Sequence, residues 1–196
     1  MQEFIEDVKR AVQVMREGGI ILYPTDTIWG IGCDASNSAA VRRIFELKQR
    51  SDSKSMLSLI DSDAKLGYYV PDIPDVAYDL MDLAEKPLTI IYDNVRHLAP
   101  ELLADDGSAG IRVTREAFSK ELCRRLGGAV VSTSANISGE PSAANFSEIT
   151  DAIRKGVDYV VEYRQNEQAR AVASSIQVVG GLVEKQEVGL FQQDFG

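Results

Sequence analysis

The strand-like run IILYP opens directly into PTDTIWGIGCDA, which places the hydroxyls of Thr25 and Thr27 and the glycines Gly30 and Gly32 at a strand end. Open α/β sheets bind ligands at such ends, and glycine there lets the backbone come close to a ligand. An ordinary glycine-rich turn explains the segment equally well. Farther along, KQRSDSK sets Lys48, Arg50 and Lys54 just past a helix end, where they can converge on one point. A planar guanidinium between two ammonium groups suits a polyphosphate; a solvated charge run is the plainer reading. No Walker glycine loop accompanies these bases, so a P-loop nucleotide site is excluded. In VVSTSANISGEPSAAN an apolar strand breaks into Ser132, Ser134, Asn136 and Ser142. Their hydroxyls and amides can donate to phosphate or carboxylate oxygens without carrying charge, although such residues also cap helices and make turns. Finally, GSAGIRV and ASSIQV offer Ser108, Arg112, Ser174 and Ser175. An arginine on a strand holds a substrate carboxylate or a structural ion pair.

The rest of the inventory narrows the chemistry. A single histidine, His97, sits beside what reads as a surface turn, which rules out a multi-histidine metal site and disfavours a histidine-based triad. Cys33 and Cys123 are far apart and in no metal-ligand spacing, so they read as structural thiols of a reducing compartment. Catalysis must then run on hydroxyls, amides, backbone and basic side chains. The net charge of -9 argues against broad non-specific binding of nucleic acid. A local basic groove remains compatible with it, because RRIFELKQRSDSK packs five bases into thirteen residues.

Positioning falls to elements legible in the pattern. With 196 residues, 44% of them hydrophobic, the chain is expected to form one domain over 1–196 around one core. Phe4, Ile5, Val8, Val12 and Met15 predict a helix ending at Gly18-Gly19, followed by the strand IILYP. Asn37-Ser38 caps a second helix that runs to Lys48, with Val41, Ile44, Phe45 and the Lys48 stem on or near its buried side. SMLSLI, LTIIY, AGIRV, GAVVST and VDYVVEY read as strands, and SSIQVVG with EVGLFQ as a terminal strand pair. Helices are expected in VPDIPDVAYDLMDLAEKP, in REAFSKELCRRLG and, as one capped helix, in FSEITDAIRKG. Several connections are too short for a helical crossover, which predicts a mixed sheet. The charged N-terminus is unlike a signal peptide and no run is apolar enough to span a bilayer, so a soluble, cytoplasmic chain is expected.

Taken in order, GGIILYPTDTIWGIGCDA, the K-x-R of LKQR, KPLTIIY, GIRV, STSANISGEPS and the late serine pair resemble the YrdC-like family over nearly the whole chain. The resemblance implies a single α/β domain, a twisted mixed parallel and antiparallel sheet flanked by helices (RibB-like), with a concave basic cavity. It also implies L-threonylcarbamoyladenylate synthesis. Bicarbonate joins the amine of L-threonine, the carbamate attacks the α-phosphate of ATP, and pyrophosphate leaves. The product would pass to a tRNA-modifying threonylcarbamoyl transferase complex, possible local contact with tRNA included.

Carried over residue by residue, Lys48 and Arg50 match the K-x-R pair that faces the phosphates, with Lys54 at a variable nucleotide-contacting position. Ser108, Ser134, Asn136 and Ser142 fall at ATP-contacting positions. Thr27, Arg112, Ser132 and Ser174 fall at the threonine site, with Arg112 on the carboxylate. Magnesium is expected on the polyphosphate, held mostly by phosphate and water. Departures from the family pattern are Ser51, Ser55 and Thr114 in place of prolines, Leu59 near a usual histidine, and Gln192 in place of an arginine that contacts nucleotide. Long relatives carry a further C-terminal domain, which this chain is expected to lack. Two other readings stay open: an RNA-binding, translation-associated module, and a divergent YciO-like paralogue that binds nucleotide but makes another product.

Overall fold

The amphipathic stripe near the N-terminus becomes helix α1 (Ile5–Arg16), which buries Val8, Ala11, Val12 and Met15. In this computed structural model the described residues are 4–49, 56–167, 174–179 and 182–184. Gly18 then takes φ +84, a left-handed turn that side-chain-bearing residues avoid, and the chain enters β1 (Ile21–Pro24). All four residues of β1 are buried, because both faces of the sheet are covered there.

Strand β2 (Trp29–Gly32) pairs antiparallel with β1, with Tyr23 opposite Gly30. Here the structure corrects the expectation that the glycines open toward a ligand. A Cβ on Gly32 would lie 2.5 Å from the Val131 carbonyl and 2.6 Å from the Tyr23 ring. The missing side chain makes room for a tyrosine and a neighbouring strand.

The chain continues through α2 (Ser38–Leu47), β3 (Leu57–Ile60), α3 (Leu66–Tyr69), α4 (Asp75–Leu83), β4 (Leu88–Tyr92), β5 (Ala109–Val113), α5 (Ala117–Leu126), β6 (Val130–Ser134), α6 (Asp151–Gly156), β7 (Tyr159–Val160), β8 (Ser174–Val179) and β9 (Leu182–Glu184). The strand order is β7-β1-β2-β6-β3-β5-β4-β8-β9. Pairs β1–β7, β3–β5 and β4–β8 are parallel and the other five antiparallel, the mixed sheet that the short connections predict.

Three local expectations are revised. FSEITDAIRKG is a 3-10 turn (Phe146–Glu148) capped by Asn145, followed by α6, because Ile149 between them is extended and buries its side chain in the core. VDYVVEY pairs only at Tyr159 and Val160; the Asp7 carboxylate then captures the amides of Glu162 (3.1 Å) and Tyr163 (2.8 Å) and bends the chain away. The partner of β8 is Leu182–Glu184, while EVGLFQ, Gln192 included, lies outside the described residues. His97 is exposed in a turn at φ +60 and stacks on Tyr68 with ring centroids 4.1 Å apart. Cys33 and Cys123 are buried free thiols, and burial pushes both above the ordinary thiol range. Among the described residues no helix is long and apolar enough to cross a membrane.

Candidate functional site

Helix α2 begins where the Asn37 side chain accepts the Ala40 amide (3.1 Å) and ends on Lys48. Val41 and Ile44 face the core, and Lys48, one turn beyond Ile44, follows them inward until only 1% of it is exposed. A buried ammonium is tolerable only where acceptors surround it. The Lys48 Nζ donates to the carbonyls of Ser134 (2.5 Å) and Asn136 (2.7 Å), with Ser134 Oγ at 3.5 Å and Asn136 Oδ1 at 3.4 Å. The Ser138 amide donates back to the Lys48 carbonyl at 3.0 Å. The K-x-R lysine and the loop after β6 are therefore one unit. Within that loop Asn136 Nδ2 donates to the carbonyls of Ile137 (3.1 Å) and Glu140 (2.6 Å). The Ser138 hydroxyl is buried with no hydrogen-bond partner among the described residues.

The β1–β2 turn adjoins this unit: the Ala135 amide donates to the Trp29 carbonyl (3.2 Å), and Gly30 stands opposite Ser134. Thr25 Oγ1 spends itself inside the turn, donating to the Ile28 carbonyl (2.6 Å) and accepting the Thr27 amide (3.1 Å). Thr27 remains half-buried. Between the threonines, Asp26 Oδ1 accepts from Arg112 Nη1 at 2.8 Å, and Arg112 Nε donates to Thr89 Oγ1 at 3.0 Å. Arg112 and Asp26 are 5% and 10% exposed. Strands β6 and β3 lie between β2 and β5, so the Asp26–Arg112 pair bridges about 14 Å of sheet at the usual strand spacing. The turn must arch over a curved face to reach it. Beneath lie Ser132, in register with Leu57, and Leu59, in register with Arg112. Tyr23 is buried there too, its hydroxyl on the Val131 carbonyl at 3.1 Å; burial, against a hydrogen bond with Ser132, raises its phenol well above the ordinary range.

The remaining predicted residues fall around this cluster. Ser108 is 6% exposed just before β5. Its amide donates to Asp106 Oδ1 (2.9 Å), and interaction with the Ser108 side chain and amide brings that acid below its ordinary range. Ser108 and Ser134 flank the start of β3, two strands apart at the same sheet end. Ser142 is half-buried in the irregular stretch after the β6 loop. Ser174 opens β8 in register with Leu88, whereas Ser175 is in register with Thr89, the residue that holds Arg112. Arg50 and Lys54 lie outside the described residues. Among the described residues no group of three His, Cys, Asp or Glu is placed to hold a metal ion.

Sequence reasoning missed Asp26 and Thr89. Asp26 is the acid between the two threonines of a motif inspected for hydroxyls, and Thr89 is the hydroxyl residue inside the apolar run of LTIIY; a polar residue in a buried strand was the available signal.

The Sua5_yciO_yrdC family model, described as "Telomere recombination", matches residues 13–186. A threonylcarbamoyl-AMP synthase of Stenotrophomonas maltophilia is 35% identical over 156 residues, 78% of this chain and 83% of that relative. The P. abyssi Sua5 structure in complex with L-threonine shares the fold at TM-score 0.77 and 23% identity, covering 87% of this chain and 50% of that one. E. coli YciO superposes at TM-score 0.78 and 25% identity, covering 91% and 86%. With the family model spanning most of its length and a curated relative 35% identical over 78% of it, the chain belongs to the Sua5/YciO/YrdC family.

Proposed function

We propose that this chain is an L-threonylcarbamoyladenylate synthase, forming threonylcarbamoyl-AMP and pyrophosphate from ATP, L-threonine and bicarbonate. The observation that carries the reading is the linkage of four distant motifs by three contacts: Lys48 inside the STSAN loop, that loop on the PTDT turn, and the PTDT turn on Arg112. The shared name of curated relatives supports it.

ATP would lie along the loop that Lys48 anchors, with Ser134, Asn136, Ser142 and Ser108 as neutral donors and Arg50 and Lys54 supplying charge to the phosphates. Lys48 holds the loop carbonyls inward, which turns the rest of the loop toward the ligand. Threonine would occupy the face under the PTDT turn, against Thr27, Ser132 and Ser174. Two of the five donors of the Arg112 guanidinium are committed to Asp26 and Thr89, leaving others for the carboxylate. Such a site accelerates by holding carbamate and α-phosphate in line and by offsetting phosphate charge. Magnesium would arrive on the polyphosphate and be held by phosphate and water. The product would pass to a tRNA-modifying transferase complex, a cytoplasmic role.

Pyrophosphate release by the purified chain with ATP, magnesium and bicarbonate, with and without L-threonine, tests the reading. Release that requires both threonine and bicarbonate is the expected result. ATP binding without such release would favour the paralogue reading, which the likeness to E. coli YciO keeps in view.

A further inference from the structure

Arg164 follows β7 at φ +65, a left-handed backbone that glycine adopts freely and other residues resist. Its side chain is nonetheless only 5% exposed. Nε pairs with Glu167 at 2.7 Å; Nη1 lies 3.4 Å from Glu116 Oε1 and donates to the Thr25 carbonyl at 3.0 Å. Glu116 is likewise 5% exposed, and its other oxygen accepts the Ser119 amide (2.7 Å) at the start of α5. One residue along, Ser119 Oγ donates to the Pro24 carbonyl at 3.3 Å. Successive carbonyls entering the PTDT turn are therefore gripped from α5 and from the segment after β7. The turn's own Asp26 then holds Arg112.

We propose that Arg164 is a positioning residue for the threonine side of the site: with Glu116 it fixes the Thr25 carbonyl, and so sets where Thr27, Asp26 and the Arg112 guanidinium stand. The proposal rests on the synthase reading. A guanidinium that served only to tie the segment after β7 to the end of its neighbour β1 would, on removal, lower stability without favouring one substrate over the other. A positioning role predicts a selective effect, since a small misplacement of a substrate-binding turn is costly while the Lys48–STSAN unit is built from other contacts.

Arg164→Gly is the informative substitution, because it removes the guanidinium while giving the backbone at 164 the residue that φ prefers. The expected result is a rise of about tenfold in KM for threonine, with kcat and the KM for ATP within about twofold of the unsubstituted chain. Arg164→Lys is expected to recover part of the loss. Glu116→Gln keeps an oxygen for the Ser119 amide and is expected to give a smaller rise of the same kind. Unchanged threonine KM in folded Arg164→Gly, or equal losses for both substrates, overturns the proposal; should that variant not fold, a flat response in Glu116→Gln does so. Calorimetric titration with L-threonine alone reads the same effect without turnover. Threonine binding that weakens in Arg164→Gly in a chain that turns nothing over brings down the synthase reading and leaves the positioning role standing. Absence of threonine binding by the unsubstituted chain removes both.

Discussion

Lys48 is fully buried, which the structure tolerates because two carbonyls and two side-chain oxygens face its side-chain nitrogen. Replacing it with methionine keeps the length and apolar stem but removes the donor, so the Asn136 carbonyl loses the Lys48 bond and the Ser134 carbonyl keeps only the Asn136 amide (3.0 Å). Lys48→Met is expected to lose about 1–3 kcal/mol of stability, the cost of stranding buried polar groups, and about tenfold in ATP affinity as the loop relaxes. Urea denaturation and calorimetric ATP titration measure the two; unaltered ATP affinity in a destabilised protein would confine Lys48 to a structural role. That Lys48, Ser134 and Asn136 belong together was legible from the ordered family motifs; taken singly, the charge run and the polar run read as a solvated face and as caps and turns. Asp26, Glu116 and Arg164 were not legible, since their burial comes from partners 86, 48 and 139 positions away in the chain: Arg112, Arg164 and Thr25.

Among the elements, α2 joins the legible and the hidden most directly. Its N-cap and apolar stripe could be read from Asn37 through Ile44, and they aim its last residue at the sheet. What the pattern could not contain is that Lys48 lands on β6, an element more than eighty residues later. Asn37→Ala removes the cap at the far end of the helix, at a cost of about 1 kcal/mol. Because Lys48 sits on the last turn, held by the Ser138 amide and the loop carbonyls, thermal melting should register the loss while KM for ATP stays unchanged. A large rise in that KM would mean the loop contacts alone do not position Lys48. The mistaken elements share a cause. The helix expected through Ile149 and the long strand after Val157 were each cut short by a tertiary demand, a buried isoleucine in one case and the Asp7 carboxylate in the other.

For the whole molecule, strand types were readable and strand order was not: β6 inserts between β2 and β3, joining distant segments in one sheet, and pairing of that kind leaves no local trace. The assembled molecule also sets limits on pH. Hydrogen bonding from Arg43 lowers the Asp158 carboxyl, and bonding from Arg124 and then Arg125 lowers Glu121 to about 2. A carboxyl lowered in the folded state stabilises above its unfolded value, here 3.8 for Asp158 and 4.5 for Glu121, and that contribution is lost as pH falls through the folded value. The opposite limb comes from Cys33, Cys123, Tyr23 and Tyr92, whose burial raises them above 9.0 for the thiols and 10.0 for the phenols. The unfolded chain releases those protons first, so stability falls once pH passes the unfolded thiol value. Urea midpoints followed by circular dichroism should hold level between about pH 5 and 8.5, then decline below about 4 and above about 9. Asp158→Asn should soften the acid limb, and Cys123→Ala the alkaline one, each leaving the other slope intact. An alkaline limb as steep in Cys123→Ala as in the unsubstituted chain would shift that role to the buried tyrosines, whose loss sets in about one unit higher.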